Sequence, residues 1–409
     1  METSPAKSHF PRQFWLMLGG SALSSLGTTM IWPFLLIFVS SRLNLPLATV
    51  TSLMTINSIA GLISSILVGS TLDRFGRKRI ITIGIFGSGL VYLGYLGASQ
   101  FWEFALLMGL SGLFGPLHRV GVSAMIADMF EGDQRRQAYA LFRTATNIGF
   151  GTGPVLGGLA LQVSYNFGLL AAFSGLSIFG LITLLFVRET LPAELRSEGE
   201  SILTSLRGYV EALKDKVFLH MLGAYTLQEI CARLIWVILA VYSKTNFGIP
   251  EAVYGIIPTT NAAMVVFLQI LVTRLTRKHA EIKVMTFGAS FYMLSMVVVA
   301  LSNGFWGFLL AMVVCTIGEL ITAPTTTVFV ANLAPPEKRG RYLGLHGLTF
   351  YVAMAIGPFG AGILSDNFGT RAPWWGGAII GALSVFSFWL LQRKISKQQP
   401  TLSDSIELI

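Results

Sequence analysis

The 409-residue chain is 53% hydrophobic and 12% charged, against about 25% charged in soluble domains, so a water-soluble fold could not hide its apolar surface. The formal net charge of +9 does not mark a nucleic-acid binder, because the basic residues sit between apolar stretches rather than on one polar face. Cys231 and Cys315 both fall inside apolar stretches and offer neither a disulfide framework nor metal spacing.

Taken in order, the chain reads as twelve apolar spans, most of them longer than the roughly 20 residues that cross a bilayer. The opening METSPAKSHFPRQ is not a cleavable signal, since the run behind it, Phe14–Ser41, is too long for a signal core. That run is span 1, and Trp32-Pro33 predicts a kink in it. Spans 2, 3 and 4 are Leu45–Leu72, Ile80–Ala98 and Trp102–Asp128. A polar turn over Glu131–Gln137 leads to span 5, Ala138–Val163, and then to span 6, Phe167–Val187. In the polar segment that follows, Ile202, Leu203, Leu206, Val210 and Leu213 recur at helical spacing. They predict an amphipathic helix on the cytoplasmic membrane surface. Spans 7 to 9 are Val217–Tyr242, Ala252–Thr273 and Val284–Ser302. Spans 10 to 12 are Phe305–Ala334, Arg341–Leu364 and Trp374–Leu391. The expected organisation is an N-terminus over 1–13, six spans over 14–187, a linker over 188–216, six spans over 217–391 and a tail over 392–409.

Twelve spans place both ends on one side, and the charges say which. Twenty-three Lys and Arg lie in the termini and the loops on that side, while the opposite side holds only Arg42, Lys244 and Arg371. This asymmetry puts both termini in the cytoplasm. The halves are also related. Displacing the chain by 204 residues lays Gly153-Pro154 on Gly357-Pro358, Ala127 on Ala331, Asp133 on Glu337, Arg135 on Arg339 and Gly158 on Gly362. Parallel repeats of this kind build a cavity at the repeat interface.

Two motifs and a few intramembrane charges carry the function. The loop Gly69–Arg79 holds five charged residues between uncharged flanks, in the order Gly69, Asp73, Arg74, Gly76, Arg77, Lys78 and Arg79. Gly69 would let another backbone approach and Gly76 permits a tight reversal. Asp73 suits a helix terminus, and the basic residues hold the loop in the cytoplasm. The spacing resembles the loop between helices 2 and 3 of the major facilitator superfamily. In span 5, Gly149, Gly153 and Gly157 recur every fourth residue beside Pro154 and Gly158. They make a smooth face for close helix approach, which we expect to meet a neighbour in the other half. The complete pattern resembles the span-5 motif of antiporters in that superfamily.

The resemblance covers nearly the whole chain. It implies an all-α integral membrane protein of twelve helices in two pseudo-symmetric six-helix bundles. The expected function is proton-coupled export of small amphipathic compounds by alternating access, in the manner of drug:proton antiporters. An uptake permease for a sugar, carboxylate or other metabolite and a non-transporting receptor or scaffold are the alternatives. It also implies a gate in which Asp128 lies near the Gly69–Arg79 loop and pairs with Arg77, and it matches Arg119 to the family's buried arginine.

Charges within spans are costly and mark candidate sites. Arg119 reads as an anion contact or as a structural cation. Glu319 reads as a proton-coupling carboxyl or as a hydrogen-bonded packing residue, with no basic residue near it in sequence. Glu229 and Arg233 are four apart on one helix face, where they either neutralise each other or meet substrate. His118 and His346 read as packing residues. No phosphate loop, zinc spacing or nucleophile elbow is present, which disfavours ATP-driven pumping and leads us to expect an ion gradient as the energy source and no enzyme activity. The expected partners are therefore a small-molecule substrate, protons and membrane lipid, with no nucleic acid, cofactor or metal. We expect a monomer in the plasma (inner) membrane.

Overall fold

The computed structural model describes residues 10–191 and 202–398, and the side chains of Ile202, Leu203 and Leu206 lie outside that description. The observed spans 1 to 6 are Arg12–Leu43, Leu47–Phe75, Arg77–Gly97, Phe101–Met129, Gly132–Leu161 and Tyr165–Phe186. Spans 7 to 12 are Lys216–Phe247, Glu251–Thr276, Glu281–Leu301, Phe305–Leu333, Pro336–Phe368 and Ala372–Gln398. No strand occurs among the described residues. Eleven of the spans are long and apolar enough to cross a membrane. The twelfth, span 5, is 30 residues long and carries Asp133, Arg135, Arg136 and Arg143 in its first turns. The most exposed rings, Phe267, Trp306 and Phe368, are each more than 75% exposed, as lipid-facing positions require.

Helices extend further than hydropathy indicates, because a helix does not end where hydrocarbon ends. The expected polar turn Glu131–Gln137 is helical from Gly132 onward, and Arg136 pairs there with Asp133. Span 1 breaks into a short 3-10 turn at Trp32–Phe34, where Pro33 lacks an N–H. Span 7 widens into a π segment at Leu234–Ile238, directly after Arg233. Such segments gather at functional sites.

Two compact units divide the chain. One comprises Met1–Leu45, Ser52–Ile202 and Gly248–Ala262, and the other Pro46–Thr51, Leu203–Phe247 and Ala263–Ile409. Each therefore includes a short piece belonging by sequence to the opposite half, and glycines explain the attachment. Within the first unit, a Cβ on Gly158 would overlap the backbone of Glu251 and Ala252. Within the second, Gly362 sits as closely on Ala48, and Asp366 accepts from the Leu47 and Ala48 N–H groups at 3.1 and 2.8 Å. Gly158 and Gly362, like Ala48 and Ala252, are 204 residues apart, so the repeat reproduces the contact. Arg135 and Arg339, 204 apart as well, each donate Nε to a carbonyl ending the preceding helix, Phe130 at 2.6 Å and Ala331 at 3.0 Å. A cation suits those carbonyls.

The expected linker helix is present over Ile202–Ala212, and its small residues dock on protein. Ala212 is 1% exposed within a core cluster with Phe218, Met221 and Tyr342, and Gly208 abuts the Arg341 guanidinium. Lys338 donates to Glu211 at 2.7 Å, and that hydrogen bond holds the Glu211 carboxyl below its usual range. Val210 stays exposed. Leu213 is exposed as well, so Gly208 and Ala212 set the helix against span 11 while the described residues of its apolar stripe face outward.

Candidate functional site

In the first unit, the Gly69–Arg79 loop forms a charged cluster. Gly76 has φ +90° between spans 2 and 3, a value that a side chain would strain. Arg77 donates to Asp73 at 2.6 Å and, through Nε, to Asp128 at 3.3 Å. Thr190 donates its hydroxyl to Asp128 at 2.8 Å. Arg74 lies over the Phe75 ring, and Lys78 enters through its backbone. One expectation fails here. A Cβ on Gly69 would meet nothing within 4 Å, so no backbone approaches it in this conformation.

Sequence reasoning missed the residue that completes this cluster. Glu189, just past span 6, accepts from the backbone N–H of Arg77 and Lys78 at 3.0 and 3.1 Å. It also accepts from the N–H groups of Thr190 and Leu191. The first turn of span 3 has unpaired donors and a positive dipole end, and a carboxylate suits both. The available signal was the position of Glu189, the first acid after the apolar run of span 6. We expect Glu189→Ala to slow transport several-fold with substrate affinity unchanged, because it loosens the cluster rather than the cavity. An affinity loss at normal rate, measured by equilibrium binding beside flux, would contradict this.

Gly149, Gly153 and Gly157 face span 1, whereas the expected close contact with the second half of the sequence is made by Gly158 and Pro154 at the start of span 8. A Cβ on Gly149 would come within 2.8 Å of the Ala22 carbonyl and the Leu26 nitrogen, while Gly153 faces Thr29 and Gly157 the Met30 backbone. Thr29 donates to the Gly149 carbonyl at 3.0 Å across this contact. Glycines at i, i+4 and i+8 form one stripe and can serve only one neighbour. Gly158, one residue on, points instead at Glu251–Ala252. Pro154 abuts Gly255, whose Cβ would overlap the Pro154 carbonyl.

In the second unit the structure gathers candidates that are far apart in sequence. Glu229 and Arg233 form an ion pair at 2.9 Å, with side chains 10% and 16% exposed. Arg233 lies 4.7 Å over the Phe350 ring of span 11, a desolvated cation–π contact. The Tyr225 hydroxyl hydrogen-bonds to Glu229, and His346 stacks on Tyr225 at 4.6 Å. Glu319, half-buried on span 10, lies within electrostatic reach of Cys315 and Tyr292, and so does Glu229 from span 7. Three buried atoms around this cluster, Gln228 Oε1, Arg233 Nε and His346 Nε2, have no hydrogen-bond partner among the described residues.

Arg119 differs from the expectation of a buried arginine. It is exposed on span 4. Among the described residues no group of three His, Cys, Asp or Glu side chains is arranged to hold a metal.

A model of the Major Facilitator Superfamily matches residues 17–245 and 221–407. The chain is similar to a Na(+), Li(+), K(+)/H(+) antiporter of Planococcus maritimus, 29% identical over 92% of this chain and 94% of that protein. It is also similar to multidrug resistance protein MdtH of Shigella boydii serotype 4 (strain Sb227), 28% identical over 81% of each. Among solved structures it is similar to the nucleoside transporter NupG, with a TM-score of 0.78 at 14% identity over 93% of this chain and 100% of that one. At that identity the likeness shows the fold alone.

Proposed function

This chain belongs to the Major Facilitator Superfamily, and we propose that it exports small amphipathic compounds in exchange for protons by alternating access. It is a secondary transporter and a multi-pass membrane protein, not an enzyme. The observation that supports the finer reading is the presence of Glu319 and of the Glu229–Arg233 pair within electrostatic reach of the same residue, Cys315, inside a membrane-spanning bundle. A carboxyl at that depth is expensive, and proton exchange is the chemistry that justifies it. The neighbouring rings of Tyr225, Tyr292 and Phe350 suit the apolar part of an amphipathic substrate. The proton gradient supplies the energy, and no bound cofactor takes part. The basic-residue asymmetry supports cytoplasmic termini and insertion in the plasma membrane, and a single chain suffices for the site.

A second reading is favoured by one finding. A relative 29% identical carries the name of a Na(+), Li(+), K(+)/H(+) antiporter, and carboxylates within spans also suit monovalent cations. Both readings exchange protons, so a single assay separates them. Proteoliposomes holding an internal pH dye receive either an amphipathic dye cation or Na⁺, Li⁺ and K⁺ salts under an imposed pH gradient. We expect proton movement on adding the amphipathic cation. Proton movement only with the inorganic cations selects the second reading. Proton movement with neither overturns both and leaves uptake of a metabolite or a scaffold.

A further inference from the structure

Span 10 contains Pro324 in mid-helix. Proline has no N–H, so the carbonyl four residues earlier, that of Leu320, loses its helical donor. Leu320 is 0% exposed, so water cannot replace that donor, and an unsatisfied carbonyl at membrane depth is costly. The replacement comes from span 8. Gln269 donates Nε2 to the Leu320 carbonyl at 3.1 Å and to Thr273 Oγ1 at 3.1 Å, which commits both amide protons. From span 7, Gln228 donates Nε2 to Thr322 Oγ1 at 3.1 Å, while Thr322 donates to the Gly318 carbonyl at 2.9 Å. Two glutamine amides on different helices thus grip the stretch from Gly318 to Pro324, and Glu319 lies inside it.

The structure assigns to Gln269 the role of a positioning residue for Glu319. Its amide stands in for the backbone N–H that Pro324 lacks and holds the turn that carries the carboxyl. Its effect on transport rests on the proton-coupling reading of Glu319; its effect on the Glu319 carboxyl itself does not. Gln228 grips the same stretch through a side chain, so it does not replace the missing backbone donor.

That difference provides the test. Hydrophobic carbodiimides label protonated carboxyls within membranes, and labelling of Glu319 is read by mass spectrometry across a pH series. Gln269→Leu should move the pH midpoint of labelling and the pH profile of transport together. The labelling rate at neutral pH should change about tenfold, the scale of one lost buried hydrogen bond. Pro324→Ala added to Gln269→Leu restores an N–H at residue 324, so the double variant should return both readouts to near wild type. Pro324→Ala should not repair Gln228→Leu. If Gln269→Leu fails to fold, recovery of folded protein in the double variant supports the assignment, and failure of both overturns it. Unchanged labelling in Gln269→Leu, or no rescue by Pro324→Ala, also overturns it. If Glu319→Gln still concentrates substrate while labelling in Gln269→Leu shifts, the coupling reading fails and the positioning role stands.

Discussion

Glu319→Gln should abolish uphill transport driven by a pH gradient while substrate exchange without a gradient continues. Glutamine keeps the shape of the protonated carboxyl but can neither load nor release a proton. In a one-for-one exchange, one pH unit is worth about 1.4 kcal/mol per proton, a tenfold concentration ratio. The variant should lose that about tenfold accumulation and equilibrate substrate instead. It should also lose the pH dependence of binding for a neutral substrate. Glu229 has a buried cationic partner at 2.9 Å, and Glu319 lies on the proline-containing helix, span 10. The measurement is flux in proteoliposomes with and without the gradient. Wild-type accumulation by Glu319→Gln would make the residue structural and move the coupling site to Glu229.

Gly153→Leu should remove folded protein rather than merely stop cycling. The side chain would enter the place of Thr29 and approach the Leu26 carbonyl at 3.1 Å, and it would force apart the helices that the Thr29–Gly149 bond ties together. Overpacking in a well-filled core costs about 1–3 kcal/mol. Here the obstacle includes backbone, which cannot change rotamer, so the loss lies at the upper end. Gly360→Ala serves as the comparison, since a Cβ there meets nothing within 4 Å and alanine favours a helix. Thermal unfolding of purified protein should show Gly153→Leu lost or strongly destabilised and Gly360→Ala at or above wild type. Equal stability of both would refute the packing account.

The membrane class, the number of spans and the internal repeat were legible in the amino-acid order alone. Hydropathy and charge asymmetry are set by composition along the chain, and a bilayer reads them one span at a time. The kink at Trp32-Pro33 was legible for the same reason, because proline acts on its own helix. The identity of the neighbour was not legible. The glycine stripe of span 5 announces close contact, but only packing decided that span 1 receives Gly153 while Gly158 meets Ala252. Helix ends were misjudged at Glu131–Gln137, where polar residues continue a helix into water. The apolar stripe of the linker helix was legible, but the docking of Gly208 and Ala212 on protein was not. The candidate site followed the same division. Glu319, Glu229 and Arg233 stood out because charge in hydrocarbon is conspicuous in any sequence. The cap that Glu189 places on span 3 and the amide that Gln269 lends to Leu320 join residues 51 to 112 or so positions apart. Such contacts depend on side chains meeting across helices, and no pattern within one helix encodes them.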